Sequence, residues 1–167
     1  KATAPGGGSG FGFYGSFGSF SLDAGQDKTI IDVPPGAYYV SELDPTSLDY
    51  GLTGISCTDS DPNGTPSSGD LVSHTASINV EAGETVECTF TNSELDTVSI
   101  LKTTLPAGGT GFGFGGDFGD FTLDDGDLKT FEEVQAGSYT IGEDDPTPGY
   151  DLAFILCYDA STGAFFE

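Results

Sequence analysis

Apolar and polar residues alternate with a period of two in short bursts along this chain. Tyr38, Val40 and Glu42 share one face of residues 36–42. Val86, Cys88, Phe90 and Asn92 share a face further on, and Val98, Ile100 and Lys102 share another. Side chains on a strand point to opposite sides in turn, so each burst predicts a strand with one buried face. No window has a convincing helical period, and no apolar run is long enough to span a bilayer. Pro34-Pro35-Gly36 is a turn signal, with proline setting φ and glycine supplying positive φ. Residues 58–70 read as a polar loop with no core face. Short strands at regular spacing with turns between them predict an all-β sandwich.

The pattern occurs twice. Gly10-Phe11-Gly12-Phe13 returns 101 positions later as Gly111-Phe112-Gly113-Phe114. At that offset Phe17, Phe20, Leu22 and Asp23 meet Phe118, Phe121, Leu123 and Asp124. Residues 36–42 meet residues 137–143, predicting a second strand with Tyr139, Ile141 and Glu143 on one face. Asp44-Pro45-Thr46 meets Asp145-Pro146-Thr147. After one deletion the offset is 100, and Tyr50, Leu52, Ile55 and Cys57 meet Tyr150, Leu152, Ile155 and Cys157. Internal duplication of this kind predicts a tandem array. The expected boundaries are a first repeat at 1–92 lacking the start of its first strand, a short linker at 93–96, and a second repeat at 97–167 lacking its C-terminal strands. Further repeats are expected to flank the chain. A cut repeat exposes a sheet edge, so neighbouring repeats or copies of the same protein are the expected partners, by strand exchange if subunits polymerise.

Composition narrows the partners. Four Lys and Arg against 27 Asp and Glu give a net charge of −23, which repels nucleic acid and anionic membrane surfaces. Hydrophobic content of 36% is low, yet 12% aromatic is not the composition of a disordered chain. Abundant Thr, Ser, Gly and Asp with three cysteines fit an extracellular β-protein, the oxidising compartment following only if two cysteines are bonded.

The three apolar rows end in three different polar residues: Glu42, Asn92 and Lys102, the last matched by Lys1 in the first repeat. A carboxylate at the end of an inward row is costly to bury. Buried lysine and glutamate shift toward their neutral forms. A neutral amine is a nucleophile, and a protonated carboxyl can polarise an amide and shuttle protons. Beside an asparagine carboxamide, that set can form an amide between Lys and Asn with loss of ammonia. The reaction occurs once per molecule and joins the first strand of a domain to its last. The alternative is that these residues stand at strand ends and face solvent.

The pattern Gly-x-Tyr-x-Val-x-Glu, then a proline and a Tyr-Gly or Gly-Tyr pair, resembles the SpaA/CnaB-type domains of bacterial surface pilins and adhesins. It is carried by Gly36, Tyr38, Val40, Glu42, Pro45 and Tyr50-Gly51, and by Gly137, Tyr139, Ile141, Glu143, Pro148 and Gly149-Tyr150. The closing Thr89-Phe90-Thr91-Asn92 and the opening Ile100-Leu101-Lys102 look like that family too. The resemblance implies tandem Ig-like/prealbumin-like β-sandwich repeats. It also implies a non-catalytic structural role in an extracellular fibre, filament or adhesin stalk. It further implies an isopeptide bond from Lys1 to Asn92 promoted by Glu42. In the second repeat it implies Lys102 and Glu143, with an asparagine beyond the end of this sequence. The Gly-Phe-Gly-Phe segment and the paired cysteines depart from the family pattern, leaving open that a disulfide replaces the isopeptide.

Cys57 and Cys88 lie on inward rows of neighbouring strands and are expected to form a disulfide, Cys157 having its partner in the missing strand. The Gly10–Gly15 match to G-x-G-x-x-G lacks the preceding hydrophobic strand and following helix of a dinucleotide site. Phe11, Phe13, Phe17 and Phe20 are expected in the core, the alternative being an aromatic surface for carbohydrate. Asp117, Asp120, Asp124, Asp125 and Asp127 could hold calcium with backbone carbonyls, although a solvated acidic loop is the simpler reading and no other cofactor is expected. The rival function is thus an extracellular carbohydrate- or calcium-binding adhesion module. Asn63-Gly64-Thr65 is a glycosylation acceptor pattern in the polar loop. His74 has no partner at metal spacing, and no hydrolytic triad is apparent.

Overall fold

The structure is a computed structural model that describes residues 1–145, 149–160 and 162–166, the side chain of Phe166 excepted. The fold is all-β, with one short 3-10 turn at Thr46–Leu48 among the described residues. Two compact units form: residues 1–97 with 132–136, and residues 98–131 with 137–167.

The first unit carries β1 (Ala2–Ala4), β2 (Phe11–Gly15), β3 (Phe20–Leu22), β4 (Gly36–Glu42), β5 (Tyr50–Asp59), β6 (Ser68–Asp70), β7 (Thr75–Val80) and most of β8 (Val86–Leu101). One sheet has the order β3-β2-β4-β7-β6, every neighbour antiparallel. In the other, β8 pairs with β5 antiparallel and with β1 parallel. The chain's first strand therefore lies beside its eighth, with Ala2 opposite Thr91 and Thr3 opposite Asn92. The inward faces of both sheets supply Phe11, Phe13, Val40, Ala76, Leu52, Tyr50 and Phe90 to a single core. Phe13 stacks on Phe20 at 5.2 Å and meets Phe90 edge-on. The Gly-Phe-Gly-Phe phenylalanines are thus buried core residues, and their rings are not a surface platform.

Residues 93–96, the expected linker, run within β8. One sequence expectation is corrected here: the loop at 58–70 is shorter, because β5 continues through Asp59 and Ser68–Asp70 pairs with β7. Its polarity conceals a strand, since Ser68 and Asp70 pair with the polar Ser77 and Thr75 and only Gly69 faces the buried Ala76. Ser67 is buried, and its N–H and Oγ donate to the Asp59 carboxylate at 2.9 and 2.6 Å. Gly69 crosses so close above Ile55 that a Cβ there would collide with it.

Cys57 and Cys88 sit directly opposite each other on β5 and β8 and form a disulfide, with Cα atoms 4.1 Å apart.

The second unit contains the end of β8, β9 (Phe112–Gly116), β10 (Phe121–Leu123), the first half of β11 (Leu128–Gln135), β12 (Ile141–Glu143), β13 (Cys157–Asp159) and β14 (Ala164–Phe166). Its sheet β10-β9-β12 reproduces the registers of β3-β2-β4. Phe114 pairs with Phe121 and Glu143, as Phe13 pairs with Phe20 and Glu42. The expected strand at 137–143 is confined to Ile141–Glu143. In the first unit the opening half of β4 is held by β7, from Gly36 opposite Val80 to Val40 opposite Ala76. Among the described residues of the second unit, β12 pairs only with β9, so residues 137–140 have no ladder to join. Pro146, Thr147 and Pro148, part of the repeat and family patterns, lie outside the described residues.

One backbone crossing is common to both units. Ser16 N–H donates to the Tyr39 carbonyl, and Asp117 N–H to the Thr140 carbonyl, each at 3.0 Å. Gly15 and Gly116 precede these donors at φ of 157° and 138°, and a Cβ on either would run into the same carbonyl oxygen. Gly15→Ala is therefore expected to destabilise the first unit by more than about 1 kcal/mol. A lowered denaturation midpoint at unchanged slope would register this, and an unchanged midpoint would refute it.

Candidate cross-linking site

The site lies at one end of the first sandwich, where β1, β4 and β8 converge. Lys1 is fixed by its backbone. Its backbone nitrogen donates to the Gln26 carbonyl at 2.8 Å, and Gly25 N–H donates to the Lys1 carbonyl at 3.0 Å. Its side chain then runs inward. Glu42 closes β4, its N–H bonded to the His74 carbonyl at 2.9 Å. Asn92 sits on β8 between Thr3 of β1 and Leu52 of β5.

These three side chains meet at one atom. Lys1 Nζ lies 2.9 Å from Glu42 Oε1, and Asn92 Nδ2 donates to the same oxygen at 3.0 Å. The Lys1 and Glu42 side chains are wholly buried, and so is Asn92. The Lys1 contact is an ion pair rather than an aligned hydrogen bond. Glu42 Oε2 and Asn92 Oδ1 are buried without a hydrogen-bond partner. An unpaired buried carbonyl or carboxyl oxygen costs roughly 1–3 kcal/mol. Burial pushes the Lys1 amine below its usual pKa of 10.5, against the opposing pull of the Glu42 carboxylate. The arrangement thus holds an amine of lowered basicity, an acid and a carboxamide together, away from water.

A fourth member is not apparent from strand alternation. The Phe11 ring covers Lys1 Nζ, with its centroid 4.1 Å away. Tyr50 braces that ring edge-on at 5.3 Å. Gly8 leaves room on this side, since a Cβ there would approach the Phe11 ring to 2.9 Å. The first glycine-flanked phenylalanine of Gly-Phe-Gly-Phe therefore roofs the amine. The signal was available in the fixed spacing from Lys1 to Phe11, which recurs from Lys102 to Phe112.

The second unit repeats the pair. Lys102 Nζ donates to Glu143 Oε1 at 2.6 Å and stands 4.2 Å from the Phe112 centroid. Phe112 meets Tyr150 edge-on at 5.4 Å. The side chains are 13% and 5% exposed, against 0% for both Lys1 and Glu42. The sequence holds no asparagine after Asn92.

The acidic cluster is spread over backbone amides. Asp117 accepts from Thr140 N–H at 2.6 Å, Asp124 from Gly111 N–H at 2.7 Å, and Asp127 from Asp124 N–H at 3.0 Å. Asp125 accepts from Thr104 and Gly108 N–H, which hold its carboxyl below the usual range. The first unit fills the same roles with Ser16, Asp23 and Gln26. Asp120 lies beside Gly115. Among the described residues no three acidic, histidine or cysteine side chains are grouped to hold a metal ion. Asn63 is exposed beside its Asp61 turn, and Cys157 is an exposed free thiol.

A β-sandwich whose flanking strands β1 and β8 run side by side, with lysine, glutamate and asparagine at one end, defines a prealbumin-like domain. A family model, SpaA_4, described as a prealbumin-like fold domain, matches residues 1–94, and the chain belongs to that family. No curated protein and no solved structure matches the chain.

Proposed function

We propose that this chain is a non-catalytic structural segment of an extracellular surface fibre, filament or adhesin stalk, in which the first domain closes on itself covalently. The observation carrying this reading is the convergence of Lys1 Nζ and Asn92 Nδ2 on one buried oxygen of Glu42. The neutral amine attacks Asn92 Cγ while the Glu42 acid hydrogen-bonds Oδ1. The Nζ–Cγ bond forms, the Cγ–Nδ2 bond breaks, and the carboxyl relays the amine's proton to the departing ammonia. The repeat boundaries are residues 1–92 and 97–167, joined through 93–96. The Cys57–Cys88 disulfide fits an oxidising, extracellular setting. Copies of the repeat are the natural partners of such a segment.

Intact mass of the reduced protein tests the bond. A deficit of one ammonia, mapped by fragmentation to Lys1 joined to Asn92, is expected. A full mass would overturn the reading.

A pH dependence follows from Lys1. Ligation needs the neutral amine, and burial lowers the amine's pKa. The neutral share therefore grows as pH rises through that lowered value. Protein refolded at acid pH and then jumped upward is expected to lose ammonia faster with rising pH. The rate should fall about tenfold per unit below the folded pKa. Before ligation, stability gained from the neutral amine rises with pH between the folded value and 10.5, because only the unfolded chain holds the proton there. A ligation rate independent of pH would contradict this account.

A further inference from the structure

The sequence holds three asparagines, and the fold treats each differently. Asn92 is wholly buried in β8 and engaged with Glu42. Asn79 lies in β7 opposite Ala37, and its Nδ2 donates to the Pro66 carbonyl at 3.0 Å. The residue after it is Val80, whose branched side chain crowds its own backbone. Asn63 belongs to no strand. It is exposed in the loop between β5 and β6, and Gly64 follows it. Among the described residues its carboxamide has no hydrogen-bond partner.

This dipeptide is held on both sides and loose in the middle. Asn63 N–H donates to Asp61 Oδ1 at 2.9 Å, and Thr65 N–H donates to Glu81 Oε1 at 2.9 Å. Between them, Gly64 N–H reaches the Asp61 carbonyl only at 3.3 Å, longer than the usual N–H···O range. Gly64 has no side chain to shield its nitrogen. A Cβ there would crowd the Glu81 carboxylate at 3.0 Å, so the contact that anchors Thr65 also favours a bare residue before it. A carboxamide carbon and a weakly held backbone nitrogen thus stand one residue apart, in the open, at the spacing that closes a five-membered ring.

We propose that Asn63-Gly64 is a self-modifying site. The Gly64 nitrogen attacks Asn63 Cγ. The N–Cγ bond forms, Cγ–Nδ2 breaks, and the Gly64 amide proton leaves with Nδ2 as ammonia, which gives a succinimide. Water then opens the ring. Cleavage of N–Cγ gives aspartate, and cleavage at the Asn63 backbone carbonyl gives isoaspartate, whose main chain runs through Cβ and Cγ. Solvent is the sole co-reactant, and the loss of ammonia makes the change one-way. Either product adds a carboxylate beside Asp61 and Glu81 on a chain of net charge −23. Isoaspartate also inserts a methylene between the two anchored amides, which displaces Thr65 N–H from Glu81. The site is independent of Lys1 and Asn92, yet its ring form carries the same mass deficit of one ammonia, so the two are told apart by position.

The test holds the whole folded chain at mildly alkaline pH beside a synthetic peptide copying residues 61–69, which serves as the clock. Peptides covering position 63 are sequenced by mass spectrometry over time. Isoaspartate is read by methyl transfer from S-adenosylmethionine with an isoaspartyl methyltransferase. The folded chain is expected to convert Asn63 within about tenfold of the free peptide's rate, a barrier difference of about 1.4 kcal/mol, and to accumulate isoaspartate. Asn79 is expected to stay unchanged. Asn63→Gln is expected to abolish the isoaspartate signal and to leave a deficit mapped to Lys1 and Asn92 as it was. Slower or no conversion in the folded chain overturns the proposal. So does aspartate without isoaspartate, which marks direct hydrolysis of the carboxamide. A cross-link at Lys1 with position 63 intact defeats only this proposal. Conversion at position 63 without a cross-link at Lys1 supports it and defeats the cross-linking chemistry.

Discussion

Glu42→Ala is expected to leave the protein at full mass, with no ammonia lost, and to lower its stability more than any other single change at the site. Two effects add. The substitution removes the acid proposed to promote ligation, so the chain would lose the proposed cross-link from Lys1 to Asn92. A loop of that length stabilises by about 4–5 kcal/mol in the chain-entropy account. The substitution also removes the oxygen that both Lys1 Nζ and Asn92 Nδ2 approach within a wholly buried pocket. An uncompensated buried charge costs about 3–5 kcal/mol, or forces the amine to neutralise. Glu42→Gln separates the contributions, because it keeps the shape and loses the acid. Mass spectrometry and thermal melts of both variants decide the matter. An unchanged ammonia deficit in Glu42→Ala would remove Glu42 from the chemistry.

Cys57→Ser with Cys88→Ser is the second large change. The disulfide closes a sequence separation of 31 residues. In the chain-entropy account this is worth about 4 kcal/mol, less any enthalpic difference between bonded and reduced states. The disulfide and the proposed amide involve different strand pairs. The disulfide joins β5 to β8, and the amide would join β1 to β8. The double serine variant is therefore expected to keep its ammonia deficit while its denaturation midpoint falls. An unaltered midpoint would show that the disulfide adds nothing to stability, and a lost deficit would show that it sets the geometry of the amide.

The site was legible wherever alternation alone determines the outcome. Tyr38, Val40 and Glu42 share a face whatever the strand pairs with, and Val86 to Asn92 behave likewise. Cys57 and Cys88 could be matched on the same ground. The partners of each strand were less legible. Residues 137–143 match 36–42 closely, but only Ile141–Glu143 forms a strand, because extended backbone needs a ladder and, among the described residues, β12 pairs only with β9. Residues 68–70 have no apolar signal, and their strand depends on Asp59 holding Ser67 and on a side-chain-free crossing at Gly69. The acidic residues of the second unit resemble a cation site by composition. Asp117, Asp124 and Asp127 share their positions with Ser16, Asp23 and Gln26, and the common requirement is an acceptor for a loop N–H. Phe11 shows how a residue can read as ordinary core and still roof an amine, a distinction that hydrophobicity does not carry.

The parallel pairing of β1 with β8 bears on how this domain meets tension. A pull entering through β1 and leaving through the far end of β8 draws the two strands past one another lengthwise. All hydrogen bonds between them then resist together in shear, instead of opening one after another like a zip. An amide joining Lys1 to Asn92 would bridge those same two strands, so the pull would pass from backbone to backbone without entering the sandwich at all.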